Sequence, residues 1–186
     1  MIKGARIEGY AVISREGMIA TDDGAFPDEI KIPADHAFYQ QAVDRAAAVC
    51  NGRHSAEGGP KEKERRRIVL TRRIHGVAPD PRNPRAVLWN PATASFEEAW
   101  SRLGIEQGTL AVVGGTDVFA LFLNIGYDAF YLSRTEASVP RGRPVFPGVD
   151  PDHDAGEVLA KHRLVLRGTR MLDEATNTRV EEWGPA

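Results

Sequence analysis

The chain has 186 residues, with 24 basic and 26 acidic side chains for a formal charge of −2; 42% of it is apolar and 27% charged. Such values describe one soluble globular domain, residues 1–186, with no apolar run near the roughly 20 residues that cross a bilayer and no net charge to favour a nucleic-acid partner. Cys50 is the only cysteine, which excludes an intrachain disulfide and a cysteine-based metal cluster and reads as a small buried hydrophobe.

Taken in chain order, strand-like and helix-like segments alternate, the pattern of an α/β sheet with helices on its faces. The start, MIKGARIEGYAVIS, does not resemble a cleavable signal, so a cytoplasmic location is expected. Ile7 to Ser14 reads as a first strand and Arg15 to Ile32 as a long loop rich in Gly and Asp. Pro33-Ala34-Asp35 then opens a helix in which Phe38, Tyr39, Ala42, Val43 and Ala46 recur at helical spacing. Ala47 to Cys50 is a short buried strand running into Asn51-Gly52, with Arg53-His54-Ser55 starting the next turn or helix.

Beyond a polar loop at Ala56 to Glu64, Ile68 to Thr71 and Ala86 to Trp89 are apolar runs of the kind buried in a parallel sheet. Ser95 and Glu98 form a capping box on a helix that reaches Leu103. Thr109 to Val113 is the most hydrophobic strand and ends in Gly114-Gly115. Thr116 to Ile125 follows as an amphipathic helix closed by Gly126. After it the period drops to two, with strands expected at Phe130 to Ala137, Glu157 to Leu172 and Asn177 to Trp183. The order gives a mostly parallel sheet finished by an antiparallel hairpin.

Three features carry chemistry. The strand-Gly-Gly-Thr-helix stretch puts open backbone N–H groups at a helix start, which suits an anion or merely a tight turn. Between Lys61 and Arg73 there is a local excess of five positive charges; its arginines rim the apolar Ile68-Val69-Leu70 and suit a phosphate or carboxylate. Asp35, at a helix mouth beside aromatic side chains, is either a favourable first-turn carboxylate or a buried acid able to give a proton near neutral pH. The five histidines are scattered without metal-ligand spacing.

With these residues in view, the chain resembles dihydrofolate reductase over most of its length. The stretches that carry the resemblance are IEGYAVISREGMIA, IPADHAFYQQ, VCNGRHS, RRRIVLTRR, VVGGTDVFALFL, YLSRTEA and FPGV, in that order. It implies that family's α/β fold, with helices on both faces of the sheet, and NADPH-dependent reduction of dihydrofolate to tetrahydrofolate, or of another pterin. Asp35 would hold the pterin and help protonate N5, and Ser133 would support it. Ile7, His36, Tyr39 and Val113 would line the substrate cleft, with Arg65 on a glutamate carboxylate. Arg53, Thr71, Arg72 and Arg73 fall where the 2′-phosphate of NADPH binds, and His54 and Ser55 face its diphosphate. Gly114 and Gly115 match a pair joined by a cis peptide, followed by Thr116, Asp117, Val118 and Phe119 along the cofactor. The partner is thus a small molecule, with the chain a monomer or homodimer.

This sequence departs from the family at several points. The loop before Asp35 is long and lacks the family's tryptophan, His36 stands for an apolar residue, Asp117 for a basic one and Phe119 for a tyrosine. GYAVISREGMIA, GYDAFYL and GRPVFP also resemble the reductase domain of the bifunctional riboflavin-biosynthesis deaminase-reductase, which implies a ribosylated aminopyrimidine as the alternative substrate. A non-catalytic nucleotide-binding paralogue is the third reading.

Overall fold

The structure, a computed structural model, describes residues 4–53, 55 and 61–186. Its elements in order are β1 (Ala5–Ile13), β2 (Met18–Ala20), α1 (Pro33–Arg45), β3 (Ala48–Gly52), β4 (Arg67–Leu70), β5 (Val77–Asp80), β6 (Asn83–Trp89) and α2 (Phe96–Arg102). They continue with β7 (Gly108–Val112), α3 (Thr116–Ile125), β8 (Ala129–Arg134), β9 (Arg143–Pro144), α4 (Ala155–Lys161), β10 (Leu164–Asp173) and β11 (Thr178–Pro185).

The main sheet runs β10-β11-β8-β1-β7-β3-β4-β6-β5. From β8 to β6 every pairing is parallel; β5 on one edge and β11 and β10 on the other are antiparallel. The mostly parallel sheet with a closing hairpin is therefore as the sequence predicts. Alternation along the strands sorts the core into two layers. Ile7, Leu110, Val112, Cys50 and Ile68 face α2, α3 and α4, packed with Phe96, Trp100, Phe119, Phe122 and Leu159. Tyr10, Val49 and Ala111 face α1, packed with Ala42 and Val43. Ser95 caps α2 by accepting from the Glu98 N–H, as its capping box predicts.

Two expectations need correction. Glu157–Leu172 is not one strand: its first part belongs to α4, and only from Leu164 does the chain extend. Asp154 starts that helix by accepting from the Gly156 N–H at 2.7 Å, and Ala155 and Leu159 are buried at helical spacing, a pattern too short to stand out in sequence. Nor is the stretch after β1 simply a loop. It contains β2, which pairs antiparallel with β9, and a short 3-10 turn at Asp28–Ile30.

Glu16 fastens this region. Its carboxylate accepts from the Ser14 hydroxyl at 2.9 Å, the Ser138 hydroxyl at 2.7 Å and the Val139 N–H at 2.7 Å. Burial pushes its carboxyl up, but those hydrogen bonds outweigh burial and hold it at about 2, against 4.5 for an ordinary glutamate. A folded-state value below the unfolded one gives stability that is present above pH 4.5 and lost as pH falls toward 2. A Glu16→Gln variant should lose on the order of 2 kcal/mol at neutral pH and show a flatter melting temperature between pH 5 and 3 than the parent. Parallel melting curves across that range would contradict this role.

Candidate active site

A cleft of about 1790 Å³ opens at the carboxyl ends of β1, β7 and β8, between the start of α1 and the start of α3. Topology places it there. The chain leaves β1 through α1 on one face and leaves β7 through α3 on the other, so the two helix starts diverge and leave a crevice at the strand ends.

Asp35 sits in the first turn of α1, behind Pro33, whose fixed φ suits the opening position of a helix. Its side chain is turned into the cleft and is only 8% exposed. Burial pushes its carboxyl above the usual aspartate value; the neighbouring Ser133 hydroxyl and His36 pull the other way without cancelling it. Ser133 lies on the α1-facing side of β8, buried beside Val12 of β1. His36 is exposed on the cleft wall, and its ring centroid is 6.4 Å from that of Tyr39. Burial raises the Tyr39 phenol, with Arg67 and Arg65 opposing it, so its hydroxyl stays protonated.

The opposite wall is the turn from β7 into α3. Gly114 has φ +139, a backbone conformation that a side chain would strain, and Gly115 is the N-cap of α3. A Cβ on Gly114 would meet nothing within 4 Å, so the turn is open to the cleft. Thr116 donates from its hydroxyl to the Pro144 carbonyl at 2.5 Å, tying the helix start to β9. Next to it, Arg53, Ser55, Thr71, Arg72 and Arg73 line the same end of the cleft. Arg72 reaches Asp117 at 3.3 Å across an exposed gap, so the acidic residue neutralises a cation placed to meet an anion.

The structure brings most of the predicted residues together: Asp35, His36, Tyr39, Val113, Ser133, Arg53, Ser55, Thr71, Arg72, Arg73 and the run from Gly114 to Phe119 all line this cleft. His54 lies outside the described residues. Three expectations fail. Ile7 points away, 2% exposed in the core layer under α3; the β1 residues that line the cleft are Tyr10, Ala11 and Val12, nearer the carboxyl end of the strand. Arg65 is not on the cleft; its guanidinium is bound to Asp44 at 2.5 Å near the far end of α1. The Gly114–Gly115 bond is trans, as is every peptide bond among the described residues.

The sequence reading missed the floor. Tyr10 and Tyr131 are register partners on β1 and β8, stacked with centroids 5.0 Å apart, and Phe38 of α1 meets Tyr131 edge-on at 5.7 Å. The period-two alternation of GYAVI and FYLSR carried the signal. Arg143 and Phe26 complete the rim, where Arg143 packs against Gly24.

No protein-family model and no curated protein sequence matches the chain. Among solved structures, dihydrofolate reductase from Enterococcus faecalis complexed with NADP(H) and RAB-propyl is similar at 19% identity and TM-score 0.64, over 98% of this chain and 96% of that one. A diaminohydroxyphosphoribosylaminopyrimidine deaminase/5-amino-6-(5-phosphoribosylamino)uracil reductase from Thermotoga maritima is similar at 16% identity and TM-score 0.61, over 99% of this chain and 57% of that one. A riboflavin biosynthesis protein from Shewanella sp. PV-4 is similar at 12% identity and TM-score 0.64, over 97% of this chain and 99% of that one. At these identities the likeness is one of fold: the chain has the dihydrofolate reductase-like fold.

Proposed function

We propose that this chain is an NADPH-dependent reductase of a flat nitrogen heterocycle, acting as one domain, with dihydrofolate the first candidate substrate. The observation that supports it most is the buried carboxyl of Asp35, beside Ser133, on the wall of the same cleft as the open glycine turn and its arginines. The residues present fit the cofactor. Arg72, Arg73, Arg53 and Thr71 would hold the 2′-phosphate, and Ser55 with the N–H groups at the start of α3 would hold the diphosphate. Bound there, NADPH supplies the hydride.

The chain's own part is orientation and protonation. Asp35 accepts hydrogen bonds from the amino and ring N–H groups of the heterocycle, and burial, which raises its pKa, favours uptake of the proton it helps deliver to the ring nitrogen next to the carbon reduced. Ser133 fixes the carboxyl's rotamer. The aromatic floor of Tyr10, Phe38 and Tyr131 gives a flat ring a face to pack on and keeps water from it.

One observation favours a second substrate. Arg65, the candidate partner for the glutamate tail of dihydrofolate, is engaged by Asp44 outside the cleft. A ribosylated aminopyrimidine needs no such arginine. NADPH absorbance followed with dihydrofolate, then with the aminopyrimidine, tests both readings: turnover of one alone names the substrate class. Tight NADPH binding with no oxidation by either would make the chain a binding paralogue.

A further inference from the structure

Asn51 and Arg67 play no part in the reading above, yet both are polar side chains buried behind the cleft, 4% and 5% exposed. They lie on the neighbouring parallel strands β3 and β4. Arg67 donates from Nη1 to Asn51 Oδ1 at 2.7 Å and from Nη2 to the Glu62 carbonyl at 3.3 Å. With its oxygen occupied by arginine, the Asn51 amide must present its NH₂ the other way. That group donates to the Gly52 carbonyl at 2.9 Å and to the Ser55 carbonyl.

Those two carbonyls bound the turn that carries Arg53 and Ser55 into the cleft. The same turn is fastened from outside: the Gly52 N–H donates to the Gly114 carbonyl at 3.2 Å, and the Arg53 N–H to the Leu70 carbonyl at 3.2 Å. Ser55 Oγ lies 3.5 Å from where a Cβ on Gly115 would stand. One buried guanidinium is therefore connected, through one amide, to the turn whose Gly52 N–H bonds the Gly114 carbonyl across the anion-receiving wall.

We propose that Arg67, acting through Asn51, is the positioning residue for the diphosphate-binding wall of the cleft. It holds the Gly52–Ser55 turn against Gly114–Gly115 through the Asn51 amide. The inference rests on the NADPH reading given above. An amide is required between the two because it alone accepts from arginine while donating to two carbonyls; a carboxylate there would face those carbonyls with a like partial charge.

The role makes a specific prediction about which part of the cofactor is felt. The diphosphate is common to NADPH and NADH, whereas the 2′-phosphate belongs to NADPH alone. Equilibrium titration of both dinucleotides, with a melting curve for each variant, separates the cases. Arg67→Met and Asn51→Ala should weaken both by the same factor, about 10- to 100-fold, and Arg67→Lys should recover part of the loss. The kcat at saturating cofactor should stay within about twofold of the parent. Arg72→Ala should weaken NADPH about 10-fold or more and leave NADH nearly unchanged.

Parent-like binding by Arg67→Met, a loss confined to NADPH, or a fall in kcat at unchanged affinity would each overturn the proposal. If Arg67→Met does not fold, Asn51→Ala and Arg67→Lys carry the same test. A parent that binds neither dinucleotide overturns the NADPH reading and this inference with it. A parent that binds both, with parent-like variants, overturns only this inference.

Discussion

Asp35→Asn should lower kcat by about 10²- to 10⁴-fold, the usual contribution of a positioned general acid, and should abolish the fall in rate at high pH. Asparagine keeps the size and polarity of the side chain but has no acidic proton. The sign of the accompanying stability change distinguishes chemistry from damage. Burial raises the Asp35 carboxyl above its unfolded value, so the folded state binds this proton more tightly than the unfolded chain does. Stability is then lost as pH rises from the ordinary aspartate value of 3.8 through the folded one, and at neutral pH the ionised side chain weighs against folding. The Asn variant should therefore melt at the same temperature as the parent or higher at pH 7 while turning over far more slowly. Unchanged turnover and an unchanged pH profile would remove Asp35 from the reaction.

Phe130→Ala is the second large effect, and it acts on the scaffold. Phe130 is 0% exposed, its ring centroid 5.0 Å from Tyr127, 5.2 Å from Phe146 and 5.5 Å from Phe119. It also fills the space over Gly9, where a Cβ would stand 2.3 Å from the ring. Truncation leaves a cavity that these neighbours, seated in β1, in α3, between α3 and β8 and just after β9, cannot all collapse into. The expected cost is about 3 to 5 kcal/mol, which for a chain of this length lowers the melting temperature by about 10 °C. Calorimetry of the two proteins checks it, and a drop of under about 2 °C would mean that the aromatic cluster repacks freely.

The parallel centre of the sheet was legible because strands covered on both faces must be apolar throughout, and the runs at Ile68 and Thr109 are. Asp35 and the glycine turn were legible for a different reason: both combine a residue type with a place at a helix start, and chemistry needs that combination. Ile7 was misplaced along the strand and by face, since it is buried in the layer under α3 while the cleft is lined by the later β1 residues Tyr10, Ala11 and Val12. Arg65 was misplaced because its partner, Asp44, sits 21 positions away, and no local pattern announces a tertiary ion pair. The pairing of β2 with β9 was hidden for the same reason. Asn51 and Arg67 were hidden most deeply, because polar letters in a short strand read as surface until the neighbouring strand is in place.

The 0% exposure of Cys50 has a practical consequence. Its thiol is enclosed in the layer beneath α3, and desolvation pushes its ionisation up, so the nucleophilic thiolate is all but absent from the native protein. Maleimide dyes and spin labels will ignore it while the fold is intact. A cysteine engineered onto the surface would thus be the sole attachment point for a fluorophore, with no need to delete the natural one first.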